Sequence, residues 1–397
     1  MNEPKLRFPE FKDKWNNHKI EDMFDRVGTP VDLDDTLTYR EIGIRSHGKG
    51  IFHKDETTAS EIGNKRVFWV EPDCFVVNIV FAWERAVAKT TEAENGMIAS
   101  HRFPMYKPKK DVVDLDYITE YFITKRGQNV LILASPGGAG RNKTLGQKEF
   151  AKSVVKLPSL PEQQKIADFL STIKTVIEKQ KETVSAWEER KKGMMQKLFS
   201  QEVRFKADDG SDFPEWKKKP FGDIVSEFKV KTKVENEDTL LSCAINGVFL
   251  NSELFGHQRG QSNIGYLKIK KGTLILSAQN LHLGNANVNL RFEHGIISPA
   301  YKTYDIVGCS AEYMSQWVKW DMTKQFFYNA TTVGASECRR NVDWNMLYSQ
   351  LFAVPCLAEQ QKIADCLSSL DDVIEKQKAT LAAWEELKKG LLQQMFV

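Results

Sequence analysis

The heptapeptide EQQKIAD occurs twice in this chain, at residues 162–168 and again at 359–365, a displacement of 359 − 162 = 197 residues. The similarity extends without a gap over 157–200 and 354–397, where 27 of 44 aligned positions are identical. Solenoid proteins repeat about every 20 to 50 residues, which is far shorter than this period. The sequence therefore predicts a duplicated module, and duplication favours a molecule with pseudo-two-fold symmetry.

The duplication divides the chain into four segments. We name them the first globular segment (1–156), the central helical segment (157–200), the second globular segment (201–353) and the C-terminal helical segment (354–397). Fainter echoes link the globular segments, such as GMIAS at 96–100 with GIISP at 295–299. With 397 residues, 41% of them apolar, the chain is long enough to form a separate core in each half.

Both helical segments carry a heptad pattern that is typical of a coiled coil. The seam residues that we predict are Leu170, Ile173, Ile177, Gln180 and Trp187 in the central segment, with Leu367, Leu370, Ile374, Gln377, Leu381 and Trp384 in the C-terminal segment. Gln180 and Gln377 interrupt the seams at matched places, and so do Lys191 and Lys388. Polar seam residues set register and partner, so we expect the two helices to pair. The alternative is that each helix is an amphipathic strut on its own globular segment.

Two glycines affect the predicted ends of these helices. Gly193 and Gly390 each follow a pair of lysines. Glycine costs about 1 kcal/mol relative to alanine in a helix interior. We therefore predict that regular helix weakens or ends at these two positions.

The globular segments combine short apolar runs, Gly and Asn turns and short helical patterns, which predicts an α+β fold with a twisted sheet. Their loops carry side chains suited to base edges and phosphates, since Arg can bind guanine, Asn and Gln can bind adenine, and Lys or Arg can bind phosphate. The candidates are Arg40, Arg45, His47 and Lys49 in the first segment and Arg259, Gln261, Asn263, Gln279, Asn280, Asn285, Asn287 and Arg291 in the second. The alternative for each is an ordinary solvated surface residue.

A further loop, GGAGRNKT at 137–144, nearly matches the phosphate-binding pattern G-x-x-x-x-G-K-[ST]. Asn142 replaces the second glycine, and no long helix is predicted after the loop. A nucleotide-binding enzyme is therefore the weaker hypothesis, and a flexible basic loop that touches DNA is the stronger one. Its counterpart in the second half is VGASECRRN at 333–341. The predicted contacts are Arg141, Asn142 and Lys143 in the first loop and Arg339, Arg340 and Asn341 in the second.

Composition restricts the remaining classes of function. The net charge of +3 does not by itself indicate nucleic-acid binding. The N-terminus has no apolar signal, no long apolar run is present, and the six cysteines lack zinc spacing, so we expect a cytoplasmic protein without a membrane partner, a metal site or disulfides. We also find no methyltransferase, dinucleotide, metalloprotease or nuclease motif, which favours a chain without an active site.

Three motifs carry a resemblance to a known family: LRFPEF near the start, DFPEW at 212–216, and the pattern P-x-L-x-E-Q-Q-K-I-A, which opens both helical segments. Together they resemble the specificity (S) subunit of Type I restriction-modification systems across essentially the whole chain. The helical motifs are specific. The globular segments are less so, because in this family they diverge with the DNA sequence that is read.

The resemblance implies that the globular segments are target-recognition domains and that the helices form an antiparallel coiled coil. Each domain would read one half of a bipartite target in double-stranded DNA, and the helices would set the spacer. Two modification subunits, which bind S-adenosylmethionine, would dock on the repeated helical surface that includes Gln163. Restriction subunits, which use ATP and Mg, would complete the complex, so this chain would need no cofactor. A third hypothesis is a coiled-coil scaffold that binds proteins and has no DNA specificity.

Overall fold

The computed structural model describes residues 4–137, 143–255, 262–336 and 339–396. The chain divides into two compact units, and each unit contains one globular segment and half of each long helix. Unit 1 comprises Met1–Lys181 and Ala379–Val397, and unit 2 comprises Glu182–Lys378. Each unit therefore completes its core with residues that are distant in the sequence.

The first globular segment alternates short strands with short helices, as an α+β fold requires. Its strands are β1 (Asn16–Lys19), β2 (Phe24–Val27), β3 (Thr29–Pro30), β4 (Thr38–Ile44), β5 (Ile51–Thr58), β6 (Val67–Trp69), β7 (Phe75–Val77), β8 (Val87–Lys89), β9 (Ile98–Ser100), β10 (Met105–Pro108) and β11 (Val154–Leu157). Its helices are α1 (Ile20–Met23), α2 (Ala59–Ile62), α3 (Leu115–Ile123), α4 (Lys125–Leu133) and α5 (Gln147–Lys152).

The second globular segment follows a similar order of elements but adds a pair of strands before its last helix. Its strands are β12 (Lys217–Pro220), β13 (Val225–Phe228), β14 (Leu241–Ala244), β15 (Gly247–Leu250), β16 (Leu267–Lys270), β17 (Leu274–Ser277), β18 (Ala286–Val288), β19 (His294–Ile297), β20 (Tyr301–Ile306), β21 (Thr331–Ser336), β22 (Arg339–Val342) and β23 (Leu351–Val354). Its helices are α7 (Asn251–Leu254), α8 (Ala311–Trp317), α9 (Asp321–Asn329) and α10 (Trp344–Ser349). The long helices are α6 (Leu160–Phe199) and α11 (Leu357–Met395).

Sheet topology repeats between the units. A four-stranded sheet has the order β2-β10-β7-β8 in unit 1 and β13-β20-β17-β18 in unit 2, and both sheets are antiparallel throughout. A two-stranded pair, β1-β11 or β12-β23, ends immediately before each long helix. Unit 1 also has a five-stranded sheet, β3-β6-β9-β4-β5. The predicted duplication and α+β class are therefore confirmed.

A core of aromatic residues joins each four-stranded sheet to its helices. In unit 1, Phe75 of β7 lies with its ring centroid 5.0 Å from that of Phe122 of α3, and both side chains are fully buried. In unit 2, Trp317 of α8 and Phe352 of β23 have ring centroids 4.4 Å apart. Each core also includes the end of a long helix, because Phe396 packs on Tyr117 and Phe199 packs on Tyr313. These contacts attach both helix ends to the globular segments.

The two glycines do not end the long helices, so the prediction that regular helix ends there was wrong. Helix α6 continues past Gly193 to Phe199, and α11 continues past Gly390 to Met395. The apolar residues that follow each glycine are buried against a globular segment, including Leu198 and Met395. This burial outweighs the cost of about 1 kcal/mol that one glycine brings to a helix interior.

Candidate functional site

The first turn of each long helix contains a buried glutamate, which is bonded to an arginine near the start of the preceding globular segment. Arg7 donates from Nε and Nη2 to the two carboxylate oxygens of Glu162, both at 2.8 Å. Arg204 makes the same two bonds to Glu359, at 3.0 and 2.9 Å. Both glutamates are fully buried and lie in the first turn of their helices, where the helix dipole favours negative charge.

The glutamine that follows each glutamate bonds to backbone groups. In unit 1, Gln163 accepts from the Asp114 N–H at 3.0 Å and donates to the carbonyl oxygens of Val112 and Pro158. In unit 2, Gln360 accepts from the Ser310 N–H at 2.7 Å. Asp114 and Ser310 are the N-cap residues of α3 and α8. Each long helix is thereby fixed to the start of a shorter one.

This geometry corrects the prediction that Gln163 belongs to a docking surface. Its side chain is 1% exposed, and its amide oxygen and nitrogen both bond within unit 1. The repeated sequence E-Q-Q is therefore explained by contacts within each unit, because its glutamate and first glutamine attach the long helix to the globular segment of the same unit. The third letter, Gln164 or Gln361, is exposed.

In unit 1 the two helix halves run antiparallel. The predicted seam residues Leu170, Ile173 and Ile177 are buried together with Leu391 and Met395, while Leu381 and Trp384 pack at the edge of the same core. Lys181 of α6 lies 3.8 Å from Glu385 of α11. The neighbouring seam residue Gln180 is half-buried.

In unit 2 the remaining halves pair in the same manner. Lys378 of α11 contacts Glu188 of α6 at 2.8 Å, whereas Lys191, further along α6, contacts Asp371, which is earlier in α11. This order requires antiparallel helices. The predicted seam residues have different degrees of burial: Leu367 and Ile374 are buried, and Leu370, Gln377 and Trp187 are half-buried.

A charged cluster beside each helix pair was not predicted. In unit 2, Lys191 Nζ donates to both oxygens of Asp371 at 2.6 and 2.7 Å, and Gln316 Nε2 donates to the same carboxylate at 2.9 Å. The repeat aligns Lys388 with Lys191 and Lys174 with Asp371. In unit 1 the charge is therefore reversed at one position. Lys174 forms an ion pair there with Glu120 of α3. Glu120 occupies the position in α3 that Gln316 occupies in α8.

Four predicted DNA contacts in the first globular segment lie on or beside the hairpin of β4 and β5, and one of them, His47, is exposed in the turn. Arg40 is exposed and its Nη2 lies 3.3 Å from Glu56. Arg45 donates to the carbonyl of Ile51, and its guanidinium lies over the ring of Phe52 at 4.7 Å. Lys49 is exposed in the turn between the strands. The structure thus brings Arg45 and Lys49 to one turn, with Arg40 further along β4.

The predicted basic loops differ from expectation. Arg141 and Asn142 lie outside the described residues, and Lys143 is half-buried ahead of the six-residue helix α5. The second loop was predicted to be flexible, but β21 and β22 form an antiparallel hairpin there. Arg340 bonds to the Oγ1 and carbonyl oxygen of Thr331 and stacks on Tyr328, which stabilises the hairpin. Asn341 is exposed, and the side chain of Arg339 is outside the described part.

The remaining candidates for DNA contacts in the second globular segment differ in their exposure to solvent. Asn280 is exposed beside a cavity of about 540 Å³, and Arg291 is engaged in two hydrogen bonds to Glu253 at 2.7 and 2.9 Å. Arg259 and Gln261 are outside the described residues. Three asparagines that we expected in loops are buried and bond to neighbouring groups, which excludes them as base contacts in this conformation. These are Asn263, Asn285 and Asn287.

Within residues 4–137, 143–255, 262–336 and 339–396, no group of three or more His, Cys, Asp or Glu side chains is arranged to hold a metal ion. Over the same residues, no helix has the length and hydropathy needed to span a membrane.

These features define a duplicated α+β protein in which each unit anchors the start of one long helix and the end of the other. Residues 12–184 match the family model described as the Type I restriction modification DNA specificity domain. That match covers the first globular segment and half of α6, and the second half of the chain repeats the same elements. The first half of the chain is therefore similar to the DNA specificity domain of Type I restriction-modification systems.

Two solved structures share the fold, and a third is more distant. A chain from a structure of the type I R-M system, described as the basis of complex assembly and conformational transition, is 13% identical with a TM-score of 0.56, over 98% of this chain and 99% of that one. The S subunit of the Type I system of M. genitalium is 14% identical with a TM-score of 0.55, over 100% and 99%. The HsdS subunit of Thermoanaerobacter tengcongensis is 14% identical with a TM-score of 0.49, over 100% and 99%.

Proposed function

We propose that this chain is the part of a Type I restriction-modification complex that reads DNA sequence. Each globular segment reads one half of a bipartite target, and the paired long helices set the length of the gap between the halves. The observation that carries the proposal is the duplication of a whole unit, since two copies of one sheet topology, each anchored to the helix pair, provide two readers.

The partners are double-stranded DNA and the other subunits of the complex. Two modification subunits dock on the helical segments, and restriction subunits join them. The chain itself performs no chemistry. S-adenosylmethionine, ATP and Mg are bound by those partners, and the complex works in the cytoplasm.

The exposed part of the repeat supports two equal docking surfaces. Glu178 and Lys179 of α6 are exposed in unit 1, and the identical residues Glu375 and Lys376 of α11 are exposed in unit 2. Because the buried residues of the repeat are explained by internal packing, identity at exposed positions points to partners that bind the same surface twice.

The nucleotide-binding hypothesis gains no support from the described part of the loop at 137–144. A phosphate-binding loop leads directly into a long helix, whereas α5 begins at Gln147 and has six residues. The family match likewise favours DNA reading over a scaffold that binds only proteins.

An exchange of globular segments tests the proposal. Residues 1–156 are replaced by the first globular segment of a family member with a different target, and the hybrid is expressed with the modification subunit. We expect one half of the methylated sequence to change while the other half and the gap remain. If both halves change together, the two segments are not independent readers.

A further inference from the structure

A groove lies beside the repeated sequence W-E-E-x-K-K-G of a long helix in each unit. In unit 1 it has a volume of about 550 Å³ and lies between α11 and the first turn of α4. In unit 2 it has a volume of about 970 Å³ and lies between α6 and the first turn of α9. The repeat aligns Lys388 and Lys389 of the first groove with Lys191 and Lys192 of the second.

The groove of unit 2 neutralises its own charges. Lys192 Nζ lies 2.9 Å from Asp321 Oδ2 at the start of α9, and Lys191 is bonded to Asp371. Lys319, also in this groove, donates to the carbonyl oxygens of Ile245 and Ala286. The cations there need no further partner.

The groove of unit 1 has cations where unit 2 has acidic or uncharged residues. Helices α4 and α9 start at equivalent places, so Lys125 takes the position of Asp321, and Arg126 that of Met322. The groove thus contains five cations, Arg85, Lys125, Arg126, Lys388 and Lys389, with Glu385 as its acidic residue. Glu385 is already directed to Lys181.

Of these five cations, Lys389 has a carboxylate partner, Glu386, at 3.2 Å. Across the described residues, no ion pair links Lys125, Arg126 or Lys388 to a carboxylate. Burial lowers the pKa of Lys388; the carboxylates of Glu120 and Glu178 oppose this shift, and the like charges of Lys174 and Lys181 add to it. The N-terminal end of α4 adds partial positive charge. An anion with more than one negative charge is the ligand that this arrangement would stabilise most.

We propose that the groove of unit 1 binds a phosphate group, and its neighbourhood favours a backbone phosphate of the DNA. Gly48, in the turn that carries Arg45 and Lys49, donates its N–H to the carbonyl of Arg85 at 2.9 Å. A Cβ on Gly48 would lie 2.7 Å from Cγ1 of Ile123, which also lines the groove, so the turn packs directly against it. This inference rests on the proposed function, because the turn is a predicted DNA contact.

The test compares three variants of the full chain in complex with the modification subunits. Lys125→Gln/Arg126→Gln removes two exposed cations from the groove. Lys125→Asp introduces the acidic residue of unit 2, which would pair with Lys389 as Asp321 pairs with Lys192. Lys148→Gln/Lys152→Gln removes two exposed cations of α5 and is the control for net charge. For each complex, the affinity for a duplex with the methylated sequence is measured against salt concentration, and pyrophosphate is titrated without DNA.

Loss of one phosphate contact lowers the slope of log K against log salt by about 0.9. We expect this lower slope for both groove variants and not for the control. The methylated sequence should be the same for all three variants. Lost pyrophosphate binding with an unchanged slope would also support a phosphate site, and would identify a free phosphate as the ligand. If neither property differs from that of the control, the inference is wrong. If the wild-type complex itself shows no preference for a particular duplex and produces no methylation, the proposed function is contradicted, independently of the groove.

Discussion

Arg204 and Glu359 are joined by two hydrogen bonds across 155 residues of sequence, and Arg7 and Glu162 are joined in the same way across the same separation. In unit 2 the Trp216 indole N–H also donates to Glu359 at 3.0 Å. The carboxylate of Glu359 is fully buried, so these donors replace its hydration. The pair fixes where the long helix leaves the globular segment.

Removing one charge of this pair should destabilise unit 2 strongly. Arg204→Met leaves a buried carboxylate without its cation, a change that typically costs about 3 kcal/mol or more. In Arg204→Met/Glu359→Gln, the amide oxygen still accepts from Trp216, and we expect most of the stability to return. Urea unfolding, monitored by tryptophan fluorescence, measures the free energy of unfolding of both variants.

Lys197→Met is the control for that experiment. Lys197 is an exposed cation near Glu202 at 3.6 Å, and surface pairs of this kind contribute less than about 1 kcal/mol. If Arg204→Met loses no more stability than Lys197→Met, the pair of Arg204 and Glu359 is not important for stability.

The charged clusters beside the two helix pairs predict a compensated exchange. Lys174→Asp places a carboxylate next to buried Glu120 and should cost unit 1 about 2 to 3 kcal/mol. Lys174→Asp/Glu120→Gln reproduces the Asp371 and Gln316 pair of unit 2, with Lys388 in the place of Lys191. We expect the double variant to unfold near the wild-type midpoint, and additive losses would contradict the equivalence of the clusters.

The glycines inside the long helices predict a gain in stability. A Cβ at Gly193 would meet nothing within 4 Å. Gly193→Ala should therefore raise the free energy of unfolding by about 0.5 to 1 kcal/mol in the free chain. Gly127→Ala is the control, since its Cβ would lie 2.3 Å from the carbonyl oxygen of Tyr121 and should destabilise α4. A loss of stability in Gly193→Ala would mean that the helix needs glycine for its own conformation.

Lys319 predicts a pH dependence in unit 2. Burial lowers its pKa from 10.5 to about 8 in the folded chain. Between these values the unfolded state holds the proton that the folded state has released, so this residue makes stability rise with pH. The free energy of unfolding of the wild type, measured with urea relative to that of Lys319→Met, should rise by about 1.5 kcal/mol between pH 8 and 9.5. A difference that stays constant over this range would contradict the pKa shift.

Sequence alone predicted the features that depend on local period and on the repeat. The heptad pattern places Leu170, Ile177 and Leu367 in cores, as observed. The echo of 96–100 in 295–299 corresponds to matched strands, because β9 pairs with β6 and β19 pairs with β16. These features follow from short-range patterns of burial, which a single sequence records directly.

What the sequence did not show depends on distant partners. Nothing near Glu162 indicates Arg7, although the shared separation of 155 residues from arginine to glutamate was a usable signal in the repeat. Asn287 and Asn263 were interpreted as exposed because they are polar, yet both are buried, with their amides bonded to neighbouring groups. The hairpin of β21 and β22 was missed because its residues are small and polar, and its pairing is stabilised by Arg340.

The measurement that tests the central claim most directly is a map of methylated adenines. The chain is co-expressed with the modification subunit of the same system, and methylation is located across the host genome by single-molecule sequencing. We predict two short specific sequences separated by a gap of constant length. A stable complex that produces no methylation, or methylation at one continuous sequence without a gap, would contradict the account.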